Sequence, residues 1–593
     1  MLALILAAHA VAGAPPGPVV HTTCGPVLGA ASDASGIGAA FRAIPYAVPP
    51  TPVHGMRFRR SKLLSEGEGT CWPGTLNASG GWGSMCMQNS WAGSGGHEDC
   101  LFLNVWTPQL PSSLADSEGA ASVELLPVFF YIHGGSLVGG DGNTEFAGLA
   151  GQQMVVVTIN YRLNVPGFLA LEALTATDAK NASGNYGLSD QVTALRWVKQ
   201  NIEKFGGDPA RVTIAGQSSG GTSVWNLLAI PSAKGLFSAA LPMSGASRNN
   251  VTLREASRDN AIFLELTHCA NAGGNALATR ACIDALSEKA MAKAFDKMCA
   301  LKGTMCACGA FDFHMPVPTE YQSGVAIIDG VVVPQDMQRA LAVAAAHTHV
   351  PVLAGSMAQE ASGTPEALND PERFRGQLEE WGAALGLSRA TIANASRLYA
   401  ADQTDEFRHD WSIAYDSIIS DIRVVCGCLA NVARLVSSCG DGTAGAAAAC
   451  PVWQYYTDMS GVRNTSTNEA HHGYDLEQLT TDPTDPEAFK SAAERQYFER
   501  AVELFATFVR THAPPPAAGF KRFGDVPGGG AGKIGVVGEL PREYNLNNLD
   551  QVWRAGGNAV AEDRLQARCA TWADAVVPGQ HGRSVLQSFA WVE

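Results

Sequence analysis

Arg211-Val212-Thr213-Ile214-Ala215-Gly216-Gln217-Ser218-Ser219-Gly220-Gly221 decides the fold. A β-branched run enters a glycine, a serine follows two residues on, and two more glycines close the stretch. If Val212 to Ala215 is a strand and a helix begins after Ser218, the chain turns sharply there and pushes the hydroxyl to the tip of the turn. The Gly-x-Ser-x-Gly pattern alone is weak, because random placement in a chain this glycine-rich produces about 0.4 copies of it. Its meaning rests on what flanks it.

Working outward, Leu126 to Ile132 and Met154 to Asn160 are continuous apolar runs, as expected of strands buried on both faces. Between them lies His133-Gly134-Gly135-Ser136-Leu137-Val138-Gly139-Gly140. Asp190 to Ile202 carries apolar residues at 194, 195, 198 and 202 and ends in Phe205-Gly206-Gly207-Asp208-Pro209, which predicts a helix. The order strand, helix, strand, sharp turn, helix argues for an α/β sheet. Further strands are predicted at Leu101–Trp106, Ala239–Met243, Val350–Ala354 and Val452–Thr457, and an amphipathic helix at Ala492–Val509. Residues 251 to about 312 read as helical. No tandem repeat or dividing linker appears, so one large catalytic domain over 15–593 is expected.

Composition narrows the function. Of 593 residues, 46% are hydrophobic and 16% charged, with 41 basic against 56 acidic residues and a formal charge of −15. The one basic cluster, Arg57-Phe58-Arg59-Arg60-Ser61-Lys62, reads as a solvated or ion-pairing segment, which argues against nucleic acid as a partner. Met1 to Ala14 is apolar and ends in small residues before Pro15-Pro16, so residues 1–14 resemble a signal peptide that lacks a basic start. No later run is long and apolar enough to suggest a membrane span. The 14 cysteines suit an oxidising compartment, and Asn77, Asn181, Asn250, Asn394 and Asn464 head glycosylation sequons. A secreted or luminal protein is the expectation. Cys306-x-Cys308 and Cys426-x-Cys428 have no His/Cys partners at finger or ribbon spacing, so no metal site is expected.

Several separated blocks then coincide with one family. Phe41–Pro50, Glu98–Trp106, Asn160-Tyr161-Arg162-Leu163 with Gly167-Phe168-Leu169, Gly184–Gln191 and Phe205–Gly221 resemble the type-B carboxylesterases and lipases, the group that includes the cholinesterases and the catalytically silent neuroligins. The resemblance covers the first 250 residues well and recurs thinly to about 572. It implies an α/β-hydrolase fold, with a large, mostly parallel central sheet flanked by helices and helical insertions. It also implies ester hydrolysis without metal or organic cofactor, acting on a small-molecule ester or lipid.

Site residues follow from the same match. A serine hydroxyl needs a neighbouring base to become a nucleophile, and Asn468-Glu469-Ala470-His471-His472-Gly473-Tyr474-Asp475 resembles the block that carries the family's histidine, at His472 rather than His471. The acid falls in Val352-Leu353-Ala354-Gly355-Ser356-Met357-Ala358-Gln359-Glu360-Ala361, where Glu360 matches. Met357, Gln359 and Ala361 depart from the pattern, and Glu366 and Asp370 compete. The His133-Gly134-Gly135-Ser136 turn resembles the family's oxyanion loop, which assigns the amides of Gly135, Ser136 and Ser219 as donors. Ser136 replaces a glycine. Gln217 stands where the family usually carries Glu, which lowers the negative potential beside the nucleophile, and Trp91 is not tied to a cation site; cholinesterase activity is disfavoured. The match further implies the pairs Cys86–Cys100, Cys269–Cys282 and Cys426–Cys569. Cys439 and Cys450 are candidates for another, while Cys24, Cys71, Cys299, Cys306, Cys308 and Cys428 stay unassigned. A neuroligin-like adhesion protein and an interfacial lipase are the alternatives. For the lipase, residues 283–323, with Met291, Phe295, Met298 and Phe311, read as a gorge wall or lid, and equally as core. Substrate and oligomeric state are not legible.

Overall fold

The computed structural model describes residues 17–31, 38–90, 93–111, 124–149, 151–246, 251–270, 275–299, 326–348, 350–357, 359–361, 371–400, 411–437, 451–457, 471–489, 492–515 and 567–572. The 1–14 leader, the sequons at Asn250 and Asn464, Trp91, Phe311, Glu366, Asp370 and the cysteines 306, 308, 439 and 450 lie outside the described residues.

Nine strands form the central sheet: β1 Ala30–Ala31, β2 Ala39–Pro45, β3 Phe102–Thr107, β4 Leu126–Ile132, β5 Val155–Ile159, β6 Gly207–Gln217, β7 Ala239–Met243, β8 Val352–Met357 and β9 Val452–Thr457. Their spatial order is β9-β8-β7-β6-β4-β5-β3-β2-β1. Strands β4 to β9 pair in parallel, while β3, β2 and β1 join antiparallel at one edge. A smaller three-stranded sheet of Val19–Thr22, Gly25–Leu28 and Leu76–Asn77 lies apart from it in pairing.

Every residue of β4 and β5 is buried, as their nearly continuous apolar runs require of strands covered on both faces; the polar exception, Thr158, donates its hydroxyl to Gly142 C=O at 2.5 Å. Side chains of a strand alternate between faces, and they sort accordingly. Val128, Phe130 and Ile132 join one apolar cluster, Phe129 and Tyr131 another. The first cluster holds side chains of α1 (Tyr186–Asn201) and α2 (Ser219–Ala229). The second holds the apolar stripe Tyr497, Phe498, Val502, Phe505, Phe508 and Val509 of the helix Ala492–Thr511. The sheet is thus sandwiched between helices.

Helix α1 begins four residues before the position expected from its periodicity. Asn185 enters it in a left-handed conformation (φ 52°) with no side-chain cap; Arg162 instead donates to Tyr186 C=O at 3.4 Å and pairs, buried, with Asp190 one turn on, Nε to Oδ2 and Nη2 to Oδ1 both 2.7 Å. In the basic cluster, Arg57 is interior rather than solvated. It pairs with Glu98 and donates to the carbonyls of Asp284 and Leu286 at 2.8 and 2.6 Å, while Arg60 pairs with Asp178 at 2.7 Å.

Sulfur links Cys86 to Cys100, Cys269 to Cys282 and Cys426 to Cys569, together with Cys24 to Cys71, which no sequence signal identified; Cys428 is a buried free thiol. No helix among the described residues is long and apolar enough to cross a membrane.

The order of the sheet places the site. From β4 the chain moves to β5 on one side and then returns to β6 on the other. Crevices open beyond the carboxyl ends of parallel strands where the order reverses in this way. His133 leaves β4 and Ser218 leaves β6 at that point.

Candidate active site

Ser218 caps β6 with φ 63° and ψ −129°, a strained backbone state for a residue with a side chain, costing about 1–3 kcal/mol. The turn survives because its neighbours over-determine it. Ser218 N–H donates to Met243 C=O at 2.9 Å, and Thr222 N–H donates to Ser218 C=O at 3.0 Å. Two glycines allow the tightness. A Cβ on Gly216 would lie 2.4 Å from the Gly220 carbonyl, and one on Gly220 would lie 2.1 Å from Ile132 O. The strand, the serine and the following helix are therefore locked into a sharp elbow, with Ser218 6% exposed.

His472 lies on the loop before the short helix Tyr474–Thr480. Its Nε2 is 2.8 Å from Ser218 Oγ, and its Nδ1 is 2.6 Å from Glu360 Oε2. Glu360 follows β8 and is fully buried; its second oxygen accepts the Met357 N–H at 2.7 Å. The two loops are stitched by an isolated parallel bridge between Gln359 and His471, one residue ahead of each functional side chain. His471 points elsewhere, with Nε2 2.7 Å from Glu477. Since an ionised carboxylate only accepts hydrogen bonds, Nδ1 carries the proton and Nε2 is left as an acceptor facing the serine. Ser218, His472 and Glu360, 254 and 112 residues apart in their two contacts, form one continuous chain of hydrogen bonds.

The loop after β4 wraps the elbow. Gly135, Ser136 and Leu137 all have positive φ, at 111°, 57° and 57°, a tight left-handed turn closed by the Val138 and Gly139 N–H groups, which donate to Gly135 C=O at 3.0 and 2.9 Å. The amides of Gly135, Ser136 and Ser219 have no acceptor among the described residues. The loop is pinned from behind: Leu137 N–H donates to Ser219 Oγ at 3.2 Å, Asn164 N–H donates to Leu137 C=O at 2.8 Å, and the Gln88 carboxamide brackets Gly140. His133 is stacked on Tyr161 with ring centroids 4.4 Å apart, and its Nδ1 bonds Gly134 C=O at 2.7 Å. Burial pushes its pKa down to about 4, so it holds the loop as a neutral ring. The Ser136 hydroxyl, buried at 2% exposure, has no hydrogen-bond partner among the described residues.

Sequence reasoning missed a carboxylate beneath the histidine. Asp475 is 1% exposed, and its Oδ2 accepts the Tyr455 hydroxyl at 2.7 Å. Burial pushes its pKa up to about 6, the Tyr455 hydrogen bond opposing, with the Glu360 charge adding to the rise. It follows His472 by three positions, but nothing local in the sequence says that it is buried. The Gln217 carboxamide was expected to act through lost charge alone; it also touches the base, with Nε2 3.2 Å from His472 Nε2. Among the described residues no group of His, Cys, Asp and Glu side chains is arranged to hold a metal ion.

Such a site can do acyl chemistry: an oriented base on a hydroxyl, beside a tight turn of backbone amides. Comparison with known proteins agrees with it. Para-nitrobenzyl esterase of Bacillus subtilis (strain 168) is 40% identical over 237 residues, 38% of this chain and 44% of that protein. Carboxylesterase 1E of Rattus norvegicus is 29% identical over 507 residues, 80% of this chain and 83% of its own. A solved structure of PNB esterase superposes with a TM-score of 0.62 at 26% identity, covering 84% of this chain and 91% of that one. The chain spans less than half the length of several curated relatives it matches, the Bacillus esterase among them. The profile of the carboxylesterase family matches residues 16–529, and the chain belongs to that family, with its α/β-hydrolase fold.

Proposed function

We propose that the protein hydrolyses carboxylic esters through an acyl-enzyme formed on Ser218. The observation that carries this reading is the chain Ser218 Oγ–His472 Nε2–His472 Nδ1–Glu360 Oε2, with contacts of 2.8 and 2.6 Å. As Ser218 Oγ bonds to the ester carbonyl carbon, its proton passes to His472 Nε2, and Glu360 stabilises the imidazolium. Negative charge gathers on the carbonyl oxygen and is met by the amides of Gly135, Ser136 and Ser219; each such donor contributes about 2.7–4 kcal/mol at the transition state. Collapse expels the alcohol, which takes the proton back from Nε2. Water, deprotonated by the same nitrogen, then releases the acid and restores the serine. No cofactor enters the cycle.

Relatives named as esterases support the substrate class, a small-molecule ester or lipid. A silent adhesion protein on this fold would have no chemical need for the three-residue chain. The four disulfides among the described residues support a secreted or luminal location. In this reading residues 1–14 serve as leader and 15–593 as the hydrolase domain.

A fluorophosphonate probe tests the reading. The folded protein should be labelled at Ser218, and Ser218→Ala should abolish both labelling and turnover of p-nitrophenyl esters. An acyl-length series separates a short-chain esterase from an interfacial lipase. Absence of labelling on the folded wild type would sink the esterase assignment.

A further inference from the structure

Gln217 precedes the nucleophile and is 6% exposed. Its side chain runs between two loops. A Cβ built on Gly134, in the loop after β4, would lie 3.4 Å from Gln217 Oε1; one built on Gly473, next to the base, would lie 3.7 Å from Gln217 Nε2. From there Nε2 reaches His472 Nε2 at 3.2 Å, while Ser218 Oγ reaches the same nitrogen at 2.8 Å. A neutral imidazole whose Nδ1 proton is committed to Glu360 offers a single in-plane lone pair at Nε2. Two donors therefore contest one acceptor.

We infer that Gln217 is a positioning residue for the reaction: its carboxamide, wedged between the oxyanion loop and the His472–Gly473 turn, steers the imidazole by sharing Nε2 with Ser218 and keeps that flank of the base uncharged. In the resting enzyme the amide N–H limits rotation of the ring away from the serine. Once Nε2 takes the serine proton, it becomes a donor, and only an oxygen can meet it. The amide can present its Oε1 as a dipole but brings no full charge. Support for the imidazolium then comes from the other side.

The groups that face the base make this explicit. Glu360, from the loop after β8, sits on Nδ1 at 2.6 Å. Asp475, in the first turn of the helix that follows the histidine, acts on His472 through space and accepts the Tyr455 hydroxyl of β9. Cys428, on the helix Cys426–Ser437, lies against Gly355 and feels the Glu360 charge. His471 is engaged with Glu477. Gln217 is the one of these groups that reaches Nε2 along with the nucleophile, and it is neutral. A carboxylate in its place would favour the protonated base.

This inference rests on the esterase reading, and kinetics of the full-length protein keep the two apart. Gln217→Glu should fold, since the side chains are isosteric, and should move the acid limb of the kcat/KM profile upward by at least about one pH unit. One unit below the wild-type limb, kcat/KM should then be about ten-fold lower than wild type. Above the limb its kcat should stay within about three-fold, because an acceptor for Nε2–H is retained. Gln217→Met fills the same space without the hydrogen bond. It should lower kcat about five-fold at the optimum, with KM nearly unchanged. Active-site titration with the fluorophosphonate normalises each variant to folded sites. Coincident pH profiles for wild type and Gln217→Glu, or undiminished kcat in Gln217→Met, overturn the role given to Gln217. Failure of the wild type to label overturns the esterase reading itself.

Discussion

Replacing Glu360 by glutamine tests the site more sharply than deleting it. The carboxylate is fully buried and accepts two hydrogen bonds, from Met357 N–H at 2.7 Å and from His472 Nδ1 at 2.6 Å. Glutamine has the same shape but only one oxygen. The Met357 amide is fixed by β8 and can only donate, so the oxygen must stay with it, which turns the NH2 group toward His472. Two N–H groups cannot face each other, and an unsatisfied buried donor costs about 1–3 kcal/mol. The ring escapes by shifting its proton to Nε2, the tautomer that cannot take the serine's proton. An acid-to-amide change with this outcome lowers kcat about 10⁴-fold, or about 5.5 kcal/mol. The assay is single-turnover and steady-state hydrolysis of p-nitrophenyl acetate, with circular dichroism to establish that the variant folds. KM should change little, because no substrate contact is lost. Activity within ten-fold of wild type would refute the reasoning and return attention to Glu366 or Asp370.

Asp475, with its pKa pushed up to about 6, binds its proton more tightly folded than unfolded. Its contribution to stability is therefore fully present below about pH 4 and is lost as pH rises to about 6, by roughly 3 kcal/mol. The difference between Tm–pH curves of wild type and Asp475→Asn should show this slope, and parallel curves would exclude it. The Cys426–Cys569 bridge closes 143 residues. Changing both cysteines to serine should cost about 4–5 kcal/mol on chain-entropy grounds, read as a lower Tm than that of the wild type. In a secretory host, Asn77→Gln should remove one glycan, because Asn77 is exposed and its Nδ2 is uncommitted among the described residues, Oδ1 alone being engaged by Ser79. Asn394→Gln should remove none, because Asn394 Nδ2 donates to Thr571 at 2.7 Å; intact-mass measurement decides both.

What was legible in the sequence was what is decided locally. The β4 and β5 runs, the elbow around Ser218 and the helix at 492–511 each carry their burial pattern or turn chemistry in a few adjacent residues. The domain's outline and Glu360 came through resemblance, since a glutamate three residues beyond a strand has no signature of its own. Other features depend on folding at a distance. Nothing near Cys24 names Cys71 as its partner, and nothing near Asp475 announces Tyr455 above it. The early start of α1 at Tyr186 escaped for a related reason. It is held near its start by Arg162, from another segment, rather than by a cap.

The backbone bridge between Gln359 and His471 has an evolutionary consequence. It ties acid and base to each other directly, one residue ahead of each, although the chain between them also supplies β9 to the central sheet and the Tyr455 hydroxyl to Asp475. Exchange between acid and base is therefore confined to what lies outside that frame, such as the exposed faces of the helices Pro371–Ala384 and Arg389–Ala400. Chimaeras that resurface those two helices should keep the Glu360–His472 contact, whereas replacement of β9 should break it.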